Sequence, residues 1–381
     1  MTAKICGDLR QPPLTEHFSI SNCVETESDV RVQHFGSIDE VMAFLKSEVP
    51  GNPFLGMKNA RAYNWIRDGD EMRLLPSPST SFSSPFLYRG QTTRYSPCLP
   101  GVFRGMPMVH QLHELSNLDE ANLFLARIRM EEFVAVLPQH PSHAYSRQLK
   151  LMIFAEALAQ HYEINTDRID LTQDADVAAF FATNWRDENG SWHPAREGQG
   201  VIYRTVISDL KQVLGKEREH NLEWIGKQAW PRPGEQKAWT LRLPLGADFE
   251  KFPVDILTFD HQEKCSTRFH DLFVQGTRLF PPDVLSELAD QIKSSPTVDW
   301  KALSDMVKGW YGWIPEDQHK HALDACAAFL WDHFGIGVED RGVIQLSPEQ
   351  MVQAQAQTEQ MKKTFLDDVG LLMVRQGKHV Q

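Results

Sequence analysis

The segment Phe86-Leu87-Tyr88-Arg89-Gly90-Gln91 constrains the fold of this chain more than any other stretch. Phe86, Leu87 and Tyr88 form a short apolar run that reads as a β-strand, and Gly90 lets the backbone turn just after the arginine. A guanidinium so placed is a rigid, permanently charged fork that suits a phosphate or a carboxylate. The residues alone allow two readings: an arginine salt bridge at a strand end, or an arginine aimed at an anionic ligand.

Length and charge narrow the partners. With 381 residues the chain can bury a large core and is expected to hold one elaborated domain or two. Hydrophobic residues at 41% and charged residues at 24% are ordinary for a globular chain. A formal net charge of −12 argues against a broad nucleic-acid footprint, which needs clustered Lys and Arg, but one or two arginines suffice for a small anion. The five cysteines, Cys6, Cys23, Cys98, Cys265 and Cys326, form no Cys-x-x-Cys pair and suit a reducing compartment. Met1 to Pro13 lacks the apolar core of a secretory signal and no run of 18 apolar residues occurs, so a cytoplasmic protein without a membrane partner is expected.

The organisation reads as α+β: a small mixed sheet packed by helices, followed by a mostly helical C-terminal region. Residues 1–84 form an N-terminal region with one helix, opened by the capping box Ser37-Ile38-Asp39-Glu40, and close in the Ser/Pro-rich stretch from Pro76 to Pro85. Residues 85–285 carry the main α+β domain, and 286–381 the helical region. Helices are expected after Ser116, across Leu149 to Tyr162, over Val177 to Trp185, after Pro282, over His321 to His333 and after Ser347. Strands are expected at Gly200 to Ile207, Thr240 to Leu245 and Asp271 to Gln275, whereas the charged stretch Lys211 to Lys237 has no clear pattern.

A second segment gives the arginine strand a context. Gln160-His161-Tyr162 closes an apolar stretch, Thr166, Asp170 and Thr172 follow, and then comes Val177-Ala178-Ala179-Phe180-Phe181-Ala182. Together with Tyr88-Arg89-Gly90-Gln91 this resembles the FRG domain of bacterial proteins. That family carries a Phe/Tyr-Arg-Gly tripeptide and a later Gln-His-Tyr-Gly-Leu-Pro-Thr-Arg-Leu-Leu-Asp-Trp-Thr stretch before a small-and-aromatic helix. The chain departs from the pattern at Glu163 (for glycine), Asn165 (for proline), Asp167 (for arginine, with Arg168 one place later) and Leu171 (for tryptophan).

The order of an arginine strand and a later Thr-bearing strand is also similar, more loosely, to ADP-ribosyltransferases. What this implies is an enzyme that cleaves NAD as substrate, a toxin or antiphage effector in role, passing the ADP-ribosyl group to a protein or nucleic-acid acceptor. Arg89, Thr172 and Gln275 would be catalytic. Tyr88, Gly90, Gln91, His161, Tyr162, Thr166 and Asp170 would bind the dinucleotide, with Arg94 nearby. The late acidic residue of that superfamily has no clean counterpart; Glu250, Glu263 and Gln275 are the candidates, and glutamine cannot act as a base.

Simpler readings stand beside each of these. Asp170 is placed to cap the following helix, His161 to be a hydrogen-bonded core histidine, and Tyr162 to pack. A non-catalytic module could bind a nucleotide or protein through the same pocket. In a purely structural reading Arg89 pairs with Asp170 or Asp167 in a buried salt bridge. The pairs His140/His143 and His110/His113 lack a third ligand, so no metal is expected, and Trp310, Tyr311 and Trp313 suit a core or partner surface. Oligomeric state is left open.

Overall fold

The structure is a computed structural model that describes residues 31–48, 62–77, 84–310 and 315–374. Most of the Ser/Pro-rich stretch, residues 78–83, lies outside them, as do Cys6, Cys23, Tyr311, Gly312 and Trp313.

The centre is a seven-stranded sheet. In chain order its strands are β1 (Val32–Phe35), β2 (Phe86–Gln91), β3 (Arg168–Thr172), β4 (Gln199–Val206), β5 (Leu222–Trp224), β6 (Ala238–Arg242) and β7 (Val254–Asp260). Their order across the sheet is β1-β7-β4-β2-β3-β6-β5. Only the β1/β7 pair is parallel; the other neighbours run antiparallel. β2, the arginine strand, is thus central, which is why Leu87 and Tyr88 are buried on opposite faces of it.

One face is covered by the helices Ile38–Glu48, Ala175–Thr183 and Glu263–Leu272. Their Ile38, Val41, Leu45, Ala178, Ala182 and Phe269 pack on Tyr88, Ile202, Leu257 and Phe259. Gly90 makes the closest approach possible: a Cβ there would lie 1.8 Å from the main-chain oxygen of Ala178. The other face buries Leu87, Leu171, Val201, Tyr203 and Ile256 beneath Leu210, Phe249 and Phe252.

The C-terminal region is mostly helical, as the sequence suggests. Val284–Ser294, Trp300–Trp310 and Glu316–Phe334 pack on the long helix Asn117–Val136, which Ser116 caps by accepting from the Asp119 amide. Ser347 and Gln350 form a full capping box at the start of Pro348–Thr364. Packing crosses both expected divisions. Leu285, Leu288 and Ile292 share a core with Phe133, Leu158 and Tyr162, and the strand Val369–Val374 pairs with the hairpin strand Tyr63–Asp68.

Two expected elements differ. Asp271 to Gln275 is not a strand: the helix Glu263–Leu272 ends there, and Val274 and Gln275 turn the chain at φ of 51° and 53°. In the apolar run Leu272-Phe273-Val274, Leu272 and Val274 are exposed and only Phe273 is buried. Helix also does not run from Leu149, because Lys150 at φ 55° ends Pro141–Gln148 and Leu151 bridges to Met72 before Ala155–His161 begins. Among the described residues, no helix is long and apolar enough to cross a membrane.

Candidate functional site

The arginine strand and β3 pair at Tyr88 and Thr172 only, and then part. Arg89 occupies the parting. Its Nη1 donates to the main-chain oxygen of Asp170 over 2.9 Å, so a side chain takes the place of a ladder donor. Nε of Arg89 is buried without a partner, and so is Oε1 of Gln91, two residues further along the same face. No carboxylate pairs with Arg89 among the described residues. The salt bridge allowed by the sequence is absent: Asp167 binds Arg242 instead, over 2.7 Å, and Asp170 offers only its carbonyl.

The chain after β2 packs on the turn that precedes β3. The Val102 amide donates to the Thr166 carbonyl over 3.4 Å, and Gly101 sits against the Asn165 side chain. The same turn presents Arg104, which is exposed and holds the Leu99 carbonyl at 3.5 Å. Although the residue is exposed, partial desolvation of its guanidinium, and then the charge of Arg89, lower Arg104 from the usual arginine value. The charge of Arg89 acts on Arg104, and two neighbouring cations favour an anion. The Cys98 thiol is buried beside Arg89, and burial raises it above the usual thiol value, so it is not an activated nucleophile.

Glu250 closes the far wall and is saturated. Arg94 grips it with Nε at 2.8 Å and Nη2 at 2.9 Å, while Ser96 and Tyr203 donate their hydroxyls at 2.9 Å each. Tyr203 is the register partner of Arg89, which brings this cluster to the arginine strand. Burial alone would push the Glu250 carboxyl up, but the Arg94, Tyr203 and Ser96 bonds outweigh it and hold the group below the usual carboxylate range. Glu250 is therefore ionised and fully occupied. Glu263, the other acid considered, is exposed and paired with Arg196 at 3.2 Å.

Behind Asp170 lies a buried polar cluster. His161 is 4% exposed, and burial holds its ring below the usual imidazole value. Its carbonyl accepts from Arg232 over 2.8 Å. Thr240, the cross-strand partner of Asp170 on β6, is wholly buried. His161 Nε2, Asp170 Oδ1 and Thr240 Oγ1 are each buried without a hydrogen-bond partner among the described residues. Asp170 does not cap the following helix; Asp174 does, accepting from the Asp176 amide over 2.9 Å.

Arg89 thus meets the Asp170 carbonyl at the parting, with Gln91 on its own face of β2, whereas the Asp170 side chain shares the opposite face with Thr240 and His161 is buried at the end of the helix Ala155–His161. Other candidates are placed differently. Tyr88 is buried in the helix-covered face, and Gly90 serves the close approach of Ala178. Tyr162 is clamped between the Arg232 guanidinium, 4.4 Å from its ring centroid, and Asp283, which accepts its hydroxyl. Thr166 ties its own turn by donating to Gln160 at 3.2 Å, and Thr172 donates to the Gln236 carbonyl at 2.7 Å. Gln275 is exposed in the turn after Glu263–Leu272, with no hydrogen bond or ion pair to Arg89, His161 or Asp170 among the described residues. Arg104 is brought near Arg89 without any sequence motif; only the loop fold reveals it. Among the described residues no group of His, Cys, Asp and Glu could hold a metal, and His140 accepts from the Ser142 amide as a helix cap.

Glu163 is a departure with a visible cost. Its φ of 65° is the left-handed conformation that glycine adopts freely, which explains the glycine at this place in the resembled pattern. Its carboxylate reaches Arg186 and, at 3.6 Å, Lys293.

Comparison with known proteins agrees with this layout. No curated protein and no solved structure matches the chain significantly. The family model of the FRG domain matches residues 84–191, a span that contains β2, the Gln160–Thr172 segment and the helix Ala175–Thr183, and ends before Thr240 and Glu250. The parting around Arg89 lies within that span, and the chain carries an FRG domain.

Proposed function

We propose that Arg89, at the parting of β2 and β3, binds the pyrophosphate of a dinucleotide, and that the protein is an ADP-ribosyltransferase-like enzyme that cleaves NAD in a toxin or antiphage role. The observation that carries this reading is the guanidinium of Arg89, part buried at a parting in the sheet, with Nε unpartnered and no acid paired to it among the described residues. A buried cation without a countercharge is costly, and a bound phosphate supplies one. Arg104 beside it adds to the same demand.

Cleavage of the nicotinamide–ribose bond leaves the bonding pair on the nicotinamide nitrogen and develops positive charge on the ribose. A carboxylate near that carbon lowers the barrier. Glu250 contributes fixed negative charge here but has no lone pair left for proton transfer. That saturation favours a second reading, a module that binds the nucleotide and does not turn it over.

Purified protein incubated with NAD, with nicotinamide followed over time, separates the two. Release by the wild type and not by a folded Arg89→Ala variant supports the enzyme. Saturable NAD binding without release at any protein concentration supports the binding module. Neither release nor binding would overturn both.

A further inference from the structure

We infer that the cleft between the helices Asn117–Val136 and Trp300–Trp310 is a second binding site, which takes one primary alkylammonium group from a free polyamine or from a lysine side chain. It lies in the helical region and does not depend on Arg89. Its walls are Glu131 and Glu132 of the first helix, Asp299, Lys301 and Asp305 at the start of the second, and Arg341 of the segment after the strand Gly337–Glu339. The cleft has a free volume of about 20 Å³, room for one water-sized head and too little for a ring or a planar guanidinium.

Charge and hydrogen bonds select that head. Glu132 is saturated: Oε1 accepts from the Asp299 amide over 2.8 Å and from Arg341, and Oε2 from Arg129 over 3.0 Å. Lys301 is tied to Asp305. Both cations that line the cleft are thus spent on other acids, and Asp299 is left. Its Oδ1 accepts from the Lys301 amide over 3.0 Å and so caps the second helix. Its Oδ2 is buried without a partner among the described residues, in a side chain whose residue is 5% exposed. A buried carboxylate oxygen without a donor is costly, and a cation that donates to it removes the cost.

Glu131 stands in the same negative surplus. Its partner is Arg127 at 3.3 Å. Burial first, and then the charges of Glu156 and Asp305, nevertheless outweigh Arg127 and push the Glu131 carboxyl above the usual carboxylate range. A water in the cleft would satisfy Asp299 Oδ2 and leave that charge uncompensated, whereas an ammonium answers both needs. It is a compact point charge with three donors, carried on an alkyl stem that reaches back to solvent. A metal ion fits less well, since among the described residues no group of three His, Cys, Asp or Glu is arranged to hold one.

The full chain is titrated with n-butylammonium at constant ionic strength, followed by ligand-observed NMR. Tetramethylammonium, which has the charge but no N–H, is the control. Butylammonium is expected to saturate with a Kd of about a millimolar, about tenfold or more below that of tetramethylammonium. Asp299→Asn keeps the helix cap through Oδ1 and puts an N–H donor where Oδ2 stood, so it should weaken butylammonium by about tenfold or more. Glu131→Gln should weaken it by about threefold. Should Asp299→Asn not fold, Glu131→Gln and the tetramethylammonium control decide. Spermidine and a blocked lysine, Nα-acetyl-lysine methylamide, then separate the sources. Spermidine tighter by about threefold or more supports a free polyamine, and any smaller difference supports a lysine side chain. Absence of saturation by butylammonium up to about 50 mM overturns the inference and leaves Asp299 to a water alone. Equal affinities for butylammonium and tetramethylammonium overturn it too, as does binding to folded Asp299→Asn within about threefold of wild type.

Discussion

Arg89 holds Asp170 by its main-chain oxygen, over 2.9 Å, and leaves the neighbouring carboxylate unbonded. This single contact separates a binding arginine from a scaffolding one. A guanidinium locked in a buried ion pair has its charge neutralised; this one satisfies a stranded carbonyl with one donor and keeps the rest of its charge for something else.

Removing Arg89 should therefore cost function without unfolding the protein. Breaking a buried ion pair typically costs about 3–5 kcal/mol. Here only a charge-assisted hydrogen bond is lost, and an uncompensated charge goes with it, so Arg89→Ala is expected to change stability by no more than about 1–2 kcal/mol. Denaturant titration of both proteins measures this, and NAD binding should fall at the same time. A loss near the ion-pair range would return Arg89 to the scaffold.

Much of the arrangement is legible in the sequence where local chemistry dictates it. The arginine strand, the capped starts at Ser116 and Ser347, and the helix of small residues after Asp174 each carry their own signal within a few residues. Asp271 to Gln275 misleads because the run Leu272-Phe273-Val274, a helix end followed by a left-handed turn, is as short and apolar as a buried strand. The role of Glu250 is hidden for another reason. Its four donors come from Arg94, Ser96 and Tyr203, and only the fold of the 92–104 segment and the β4 register bring them together.

Gly90 offers a test of what the tripeptide is for. Its Cβ would lie 1.8 Å from the Ala178 oxygen, a backbone atom that cannot move without the whole helix Ala175–Thr183. Gly90→Ala is expected to destabilise by about 3 kcal/mol or more. Gly309, in the helix Trp300–Trp310, meets nothing within 4 Å, so Gly309→Ala should stabilise by about 0.5–1 kcal/mol through helix propensity. Parallel urea titrations check both signs, and a harmless Gly90→Ala would mean that the glycine serves the crevice rather than the packing.

Arg204 makes the case for a structural arginine on the neighbouring strand. It binds Asp255 Oδ2 with Nε at 2.9 Å and Nη2 at 2.6 Å, and its guanidinium lies 5.0 Å and 4.9 Å from the ring centroids of Phe44 and Phe86. Lysine keeps the charge but neither the two-pronged grip nor the planar stack. Arg204→Lys is expected to cost about 1–2 kcal/mol in a denaturant titration with little effect on ligand binding. This is the reverse of the Arg89 pattern, and equal behaviour of the two arginines would erase the distinction drawn between them.

The pH dependence of stability should carry the signature of Glu250. Its folded value lies below the usual carboxylate range because bonds from Arg94, Tyr203 and Ser96 outweigh the burial that opposes them. A depressed carboxylate contributes stability that is fully present above its unfolded value, about 4.3, and is lost as pH falls through the folded value. Glu250→Gln cannot accept the paired donors of Arg94, and it is expected to cost about 2–3 kcal/mol at pH 7. The gap between wild type and variant should then shrink as pH drops from about 5 towards 3, because protonated glutamic acid and glutamine offer similar neutral acceptors. Urea titrations of both proteins across that range measure it. A gap that stays constant down to pH 3 would mean that the Arg94 bonds do not stabilise the ionised form, and that Glu250 is less firmly committed to this wall of the crevice than its four partners imply.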